Sequence, residues 1–169
     1  KGVEANVINK NGDIDINNKV IEICDIVIGG FHSIPEYGDI DNIEKNTTAI
    51  INVMKNNLVD IVVHLGNPIF PIDYEKVVIA AKKHNVAIEI NNGSLTTSRE
   101  GSKPNCKKIM ELCLKYKPYI SLGSDAHFSS LVGELSESIK LVGNYDKELI
   151  LNTSEENLKE FFKLRGKNI

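Results

Sequence analysis

One stretch of the sequence decides the fold class, and it reads Tyr119-Ile120-Ser121-Leu122-Gly123-Ser124-Asp125-Ala126-His127. Four residues that favour a β-strand lead through Gly-Ser to an aspartate and a histidine separated by one small residue. Side chains two positions apart in an extended chain point the same way, so we expect Asp125 and His127 to project together beyond a strand. Such a pair suits zinc, manganese or iron, although Asp-X-His is also common in turns and helix caps.

Short apolar runs alternate with helical patterns along the rest of the chain. They predict strands within residues 3–7, 25–32, 61–64, 86–90 and 119–122, and a short apolar run at 149–151. Helices are predicted over residues 42–57, 73–84, 105–117 and 132–142, with a last helix after the capping box Thr153-Ser154-Glu155-Glu156. Asn11-Gly12-Asp13 is a candidate turn for a small hairpin onto residues 14–16.

This order of strands and helices, with connections of a few residues, is typical of right-handed βαβ units and a parallel sheet. Several strands are apolar without alternation, as expected when both faces of a sheet are covered. We therefore predict an α/β fold. Part of a barrel fits better than a doubly wound sheet, because no glycine-rich phosphate loop follows any of the predicted strands.

Length and composition set further limits. The chain has 169 residues, is 41% apolar and carries a net charge of −3, which suits one domain spanning residues 1–169. Its lysines are scattered among acids, so we expect no nucleic-acid partner. Three cysteines without C-x-x-C spacing favour free thiols in a reducing compartment, and no apolar stretch is long enough to span a membrane. The cytoplasm is the expected location.

Other predicted strands also end in possible ligands. Glu4, His32 and His64 each follow an apolar run, as the Asp125/His127 pair does. Each has an ordinary alternative, since Glu4 suits a solvated strand end and the histidines suit hydrogen-bonded core positions. However, three of the four histidines of the chain follow strands, and strands of a parallel sheet end at one edge. We therefore expect these side chains to meet.

Five segments of the chain, taken in order, resemble successive motifs of the PHP (polymerase and histidinol phosphatase) family, most closely its small bacterial metal-dependent phosphatases of the YcdX type. The segments are Gly2-Val3-Glu4-Ala5-Asn6, Gly29-Gly30-Phe31-His32, His64-Leu65-Gly66-Asn67-Pro68, Glu89-Ile90-Asn91-Asn92 and Gly123-Ser124-Asp125-Ala126-His127.

The resemblance implies a distorted TIM-like barrel of seven βα units with a trinuclear metal centre at one rim. It implies that Glu4 bridges two metals, that His32 and His64 complete one of their sites, and that Asp125 and His127 serve the other two positions. The family's opening His-X-His motif, and further ligands after its second strand, have no counterpart here and would precede Lys1. We therefore expect the C-terminal portion of such a domain, with its first strands absent and its activity impaired.

The function implied is hydrolysis of a phosphorylated small molecule, a phosphate monoester, by water activated on divalent zinc, manganese or iron, with up to three ions in a complete domain. Arg99 is the local candidate for contact with the phosphate, although an exposed loop arginine is more often solvated. A noncatalytic metal-binding or interaction domain is the alternative. An amidohydrolase-like enzyme is weaker, because no lysine stands at a strand end. Absent first strands predict an exposed edge and self-association.

Overall fold

The computed structural model describes residues 1–167 and confirms the α/β class. The strands are β1 Gly2–Asn6, β2 Ile26–Gly30, β3 Ile61–Val62, β4 Ala87–Asn91 and β5 Ile120–Gly123. The helices are α1 Asn18–Ile23, α2 Ile43–Lys55, α3 Tyr74–His84, α4 Ser102–Tyr116, α5 Ser136–Val142 and α6 Glu155–Leu164. Short 3₁₀ turns occupy Gly93–Leu95, Ser129–Leu131, Lys147–Leu149 and Leu151–Thr153.

The five strands form one sheet in the order β1-β2-β3-β4-β5, and every pairing is parallel, as predicted. Among residues 1–167 the sheet is open, with β1 at one edge, while a single parallel bridge from Ile120 to Ile150 extends it beyond β5. All five carboxyl ends therefore lie along the same side of the sheet.

Helices α2, α3 and α4 pack in a row over one face of the sheet. The largest buried cluster lies there, and it joins Ile50 and Val53 of α2 to Val62 and Ile88 of the sheet. Residues that alternate with these strand positions face the other way, where Ile61, Val63 and Ala87 pack with Phe161 and Phe162 of α6. Both faces of the central strands are covered, which explains their apolar sequences.

Helix starts are set by side-chain caps. Asn42 accepts a hydrogen bond from the Lys45 amide before α2, and Asp73 accepts one from Lys76 before α3. The predicted start of α4 at residue 105 was wrong, because the helix begins at Ser102 and carries Pro104 in its first turn, where proline is tolerated.

Three other local predictions need correction. Helix α5 starts at Ser136, since Val132 is extended. The cap of α6 is Ser154 alone, which accepts from the Asn157 amide, while the hydroxyl of Thr153 bonds the carbonyl oxygens of Lys147 and Ile150. The predicted hairpin is reduced to one antiparallel bridge between Val7 and Ile14.

All three cysteines are free thiols, as predicted. None of the described helices is long and apolar enough to cross a membrane.

A buried ion-pair network ties the end of α6 to the amino-terminal edge of the sheet. Asp60, which is 1% exposed, accepts from Arg165 Nε at 2.8 Å, from Lys167 Nζ at 2.5 Å and from the Val27 amide at 2.8 Å. The Arg165 guanidinium also donates to the Val59 carbonyl at 2.7 Å. Removal of Arg165 would leave the buried Asp60 with the partly exposed Lys167 as its remaining ion-pair partner among the described residues.

We predict that Arg165→Ala lowers the free energy of unfolding by about 3–5 kcal/mol, because Asp60 would lose its fully buried cation and keep only the partly exposed Lys167. Urea denaturation followed by circular dichroism measures the change. Lys163→Ala, an exposed position of the same helix, is the matched control and should change stability by less than about 0.5 kcal/mol. Equal effects of the two substitutions would contradict the assigned role of the network.

Strand β1 pairs only with β2 among the described residues, and a depression of about 400 Å³ lined by Val3, Glu4, Ile26 and Ile28 lies beside it. An unpaired edge next to apolar side chains is a site for strand addition. We therefore predict that the chain self-associates through β1, and that its average mass by light scattering rises with concentration. A constant monomer mass from micromolar to millimolar protein would rule this out.

Candidate metal centre

Three side chains meet at the carboxyl ends of β1, β2 and β3. Glu4 Oε1 lies 3.2 Å from His32 Nε2 and 3.3 Å from His64 Nε2, and the two histidine nitrogens lie 3.2 Å apart. The three atoms form a nearly equilateral triangle that could hold one metal ion. These residues were selected from the sequence because they follow apolar runs, and the fold brings them together.

Alternation along the strands accounts for two of these placements. Ala5 belongs to the core beneath α2–α4, so its neighbour Glu4 faces the opposite side of the sheet. Phe31 is in the same core, and the next residue, His32, accordingly faces the side of Glu4. Gly30 leaves room for the cluster, because a Cβ atom there would lie 2.8 Å from Cε1 of His64.

The placement of His64 depends on a left-handed backbone. Val62 belongs to the core beneath the helices, so strict alternation would put residue 64 on that face as well. Instead, His64 has φ of 38°, and its imidazole reaches Glu4 on the other face. Its amide donates to Glu89 Oε2 at 2.9 Å, which holds this uncommon conformation in place.

Glu89 is a site residue to which the sequence analysis assigned no role. It lies in β4, and its Oε2 also accepts from Asn91 Nδ2 at 3.1 Å. The available signal was a single acid within the otherwise apolar run of residues 86–90. Its contact with the His64 amide joins residues 25 positions apart, so no local pattern could have identified that contact.

The surroundings of Glu4, His64 and Glu89 shift the pKa values of these three side chains in different directions. Hydrogen bonds from His32 and His64 hold the pKa of Glu4 well below its usual range, so Glu4 is ionised. Burial lowers the pKa of His64 despite its contact with Glu4, so its imidazole is neutral at neutral pH. Burial raises the pKa of Glu89 to about 7. An ionised carboxylate and a neutral imidazole are the forms that bind metals.

Asp125 lies outside the three-atom cluster and is paired with Arg99. Arg99 Nη1 donates to Asp125 Oδ2 at 2.5 Å, and both side chains are largely buried. Burial alone would raise the pKa of Asp125, but the hydrogen bond and charge of Arg99 outweigh it and leave this pKa below its usual value. Arg99 is therefore not the freely solvated loop arginine considered from the sequence.

His127 is exposed, and its Nδ1 lies 2.9 Å from the carbonyl oxygen of Asp125. The extended geometry assumed for this pair does not occur, because β5 ends at Gly123 and Asp125 has φ of 54°. Neither side chain joins Glu4, His32 and His64 among the groups that could share one ion. His84 lies in the last turn of α3 and is not one of the clustered residues.

The fold and the cluster define an α/β protein with a candidate metal centre at the carboxyl edge of a parallel sheet. No family model matches the chain. It is 45% identical to a probable phosphatase of Clostridium acetobutylicum, over 99% of this chain and 68% of that protein. It is 43% identical to a probable phosphatase of Thermoanaerobacter sp. (strain X514), over 100% of this chain and 69% of that protein.

A probable phosphatase of Shewanella amazonensis is 41% identical over 98% of this chain and 66% of that protein. The similarity thus extends over the whole chain and across several bacterial genera. The chain belongs to this family of probable phosphatases.

We predict that Gly123→Ala displaces Glu89 and lowers the free energy of unfolding by about 1–3 kcal/mol. The reason is direct overlap, since a Cβ atom at residue 123 would lie 2.0 Å from Glu89 Oε1. Thermal and urea denaturation measure the effect. Ser121→Ala in the same strand is the control and should have a smaller effect, because it removes an atom instead of adding one. A neutral Gly123→Ala would show that β4 and β5 are not packed as described.

Proposed function

We propose that the chain hydrolyses phosphate monoesters with a divalent metal ion held by Glu4, His32 and His64. The main support for this proposal is that these three side chains meet at the ends of three parallel strands. The names of relatives 41–45% identical over nearly the whole chain support phosphatase chemistry.

The spacing of the three atoms fits a metal ion. Ligand atoms about 2.0–2.1 Å from a tetrahedral zinc are about 3.3 Å apart. The observed separations of 3.2, 3.2 and 3.3 Å are of this size. One carboxylate with two imidazoles also leaves further coordination positions for water or substrate, as in catalytic sites.

A bound divalent ion would lower the pKa of a coordinated water and take up negative charge from a phosphate ester. The protonation states of Glu4 and His64, and the orientation of His64, favour binding of such an ion. Ionised Glu4 and neutral His64 can bind without net loss of a proton, provided that the ring proton of His64 is on Nδ1 when Nε2 binds the metal. Glu89 holds the backbone of His64 in the orientation that directs its imidazole to Glu4.

Arg99 is proposed to contact the phosphate of the substrate. Its Nη1 is bound to Asp125, which fixes the guanidinium while its other N–H groups remain as possible donors to phosphate oxygens. In this arrangement Asp125 positions Arg99.

We further propose membership of the PHP family, based on the five motifs in order. In that proposal the five strands are part of a TIM-like barrel, Glu4 contributes to a multinuclear centre of zinc, manganese or iron, and Asp125 and His127 serve further metal positions. Occupation of such a position would require exchange of Arg99 for a metal ion at Asp125. The noncatalytic alternative shares the metal cluster but predicts no turnover.

We predict that the chain binds at least one zinc or manganese ion, and that Glu4→Gln weakens this binding at least about tenfold by removing the only carboxylate of the cluster. Isothermal titration calorimetry measures affinity and stoichiometry. Affinity should fall in acid, because protons compete with the metal for the imidazole nitrogen of His64, and burial lowers the pKa of His64 so that this competition begins only below its ordinary range.

His84→Gln is the matched control, because it removes a histidine in the last turn of α3 that is not part of the cluster, and it should leave binding unchanged. With manganese or zinc present, release of phosphate from simple monoesters tests turnover. Metal binding without hydrolysis of any monoester would favour the noncatalytic alternative. Failure to bind either ion would overturn the metal site itself.

A further inference from the structure

A cavity of about 530 Å³ lies beside Asp125, between the loop that follows β4 and the loop that follows β5. The two loops leave adjacent strands, since Asn91 of β4 pairs with Gly123 of β5. The volume is within the range of small-molecule sites.

Direct contacts connect this cavity to the candidate metal centre. The His64 amide is bound to Glu89, and Asn91 donates to the same Glu89 carboxylate. Asn91 Oδ1 in turn accepts from the Ser94 amide in the loop beside the cavity. A Cβ atom at Gly93, in the cavity wall, would lie 3.3 Å from the Cβ atom of Asp125. Asp125, which holds Arg99, is itself a lining residue, so a phosphate bound by Arg99 would lie beside this cavity.

The walls combine hydroxyl groups with one aromatic ring. Thr97, Ser98 and Ser124 are lining residues, and Phe128, which is 73% exposed, stands at the cavity. Hydroxyl side chains exchange hydrogen bonds with hydroxyls of a ligand, while an aromatic face covers the C–H groups of a ring. This mixture suits a hydroxylated ring such as a sugar.

The charge of the walls restricts what the alcohol part can carry. Asp125 is already neutralised by Arg99, and Glu134 adds a second carboxylate, which accepts a hydrogen bond from the Ser136 amide at 3.0 Å. Among the described lining residues there is no lysine or arginine. His127 is the one imidazole of the lining, and Lys140, whose charge acts on Glu134, is ion-paired with Glu137 at 2.6 Å. A second phosphate or carboxylate on the substrate would therefore meet Glu134 with no lysine or arginine paired to it.

We propose that this cavity binds the alcohol part of the substrate and that Glu134 makes it selective for sugar monophosphates over sugar bisphosphates. The inference rests on the proposed phosphatase function with the Arg99–Asp125 pair in place, and it extends that function to the substrate class. Glu134 acts as a specificity-determining residue through repulsion of a second anionic group.

The test compares hydrolysis of a hexose 6-phosphate with that of a hexose 1,6-bisphosphate, with manganese present. The wild-type chain should prefer the monophosphate in kcat/KM, and Glu134→Lys should shift the ratio toward the bisphosphate by on the order of tenfold, because it replaces a repulsive charge with an attractive one. Glu134→Gln should give an intermediate shift and keeps an oxygen for the Ser136 amide. Glu111→Lys, an exposed position of α4, makes the same change in net charge and should leave the ratio unaltered.

A second variant tests the ring-binding part of the proposal. Phe128→Ala should raise KM for the hexose phosphate about tenfold with little change in kcat, while KM for glycerol phosphate, which has no ring, should stay the same. Val132→Ala is the control, since Val132 is 74% exposed and does not line the cavity.

The results distinguish failure of the proposed selectivity of the cavity from failure of the proposed phosphatase function. If monoesters are hydrolysed but Glu134→Lys and Glu111→Lys give the same ratio as the wild type, the selectivity assigned to the cavity is wrong and the phosphatase function stands. If no monoester is hydrolysed by any of the variants or by the wild type, the proposed function fails and the inference fails with it.

Discussion

The common direction of the five strands is the constraint on which the rest of the structure depends. Because every pairing is parallel, residues that follow different strands reach one edge of the sheet. His32 and His64 are 32 positions apart in sequence, yet their Nε2 atoms lie 3.2 Å apart. The helices beneath the sheet fix the strands in this order, since their apolar faces cover one side of every central strand. The candidate metal centre is thus a consequence of topology more than of any local motif.

Topology alone does not place all three side chains of the candidate metal centre, and the backbone conformation of His64 at the carboxyl edge of the sheet is also required. His64 would face the helix-covered core if its strand continued, and its left-handed φ of 38° is what turns the imidazole toward Glu4. Non-glycine residues in this region cost about 1–3 kcal/mol and persist only where the surroundings fix them. Here the Glu89 carboxylate accepts the His64 amide, and the Asn67 amide donates to the His64 carbonyl. A buried acid that never touches the cluster atoms thereby determines the position of one of them.

The sequence predicted what short-range patterns control. Periodicity gave the type and order of the elements, and the parallel topology then led to the meeting of Glu4, His32 and His64. What escaped prediction was decided by contacts between distant segments or by single backbone angles. The pair Arg99–Asp125 joins residues 26 positions apart, and the left-handed conformation of Asp125 cancels the extended geometry assumed for Asp125 and His127. The earlier start of α4 was missed because Pro104 is read as a helix breaker unless it is known to lie in the first turn.

The distribution of cations among the carboxylates distinguishes a structural role from a functional one. Asp60, at the amino-terminal edge of the sheet, is compensated by both Arg165 and Lys167. Asp125, at the opposite edge, is compensated by Arg99. Within residues 1–167, the ion-pair partners of Glu4 are histidines alone, and burial keeps His64 neutral near pH 7. The negative charge of Glu4 therefore has no permanent side-chain cation beside it, although two imidazole nitrogens point at the same oxygen. A divalent ion would supply the missing charge and accept both nitrogens at once, whereas at Asp125 a metal ion would first have to replace Arg99. Glu4 is therefore the carboxylate around which we place the proposed metal centre.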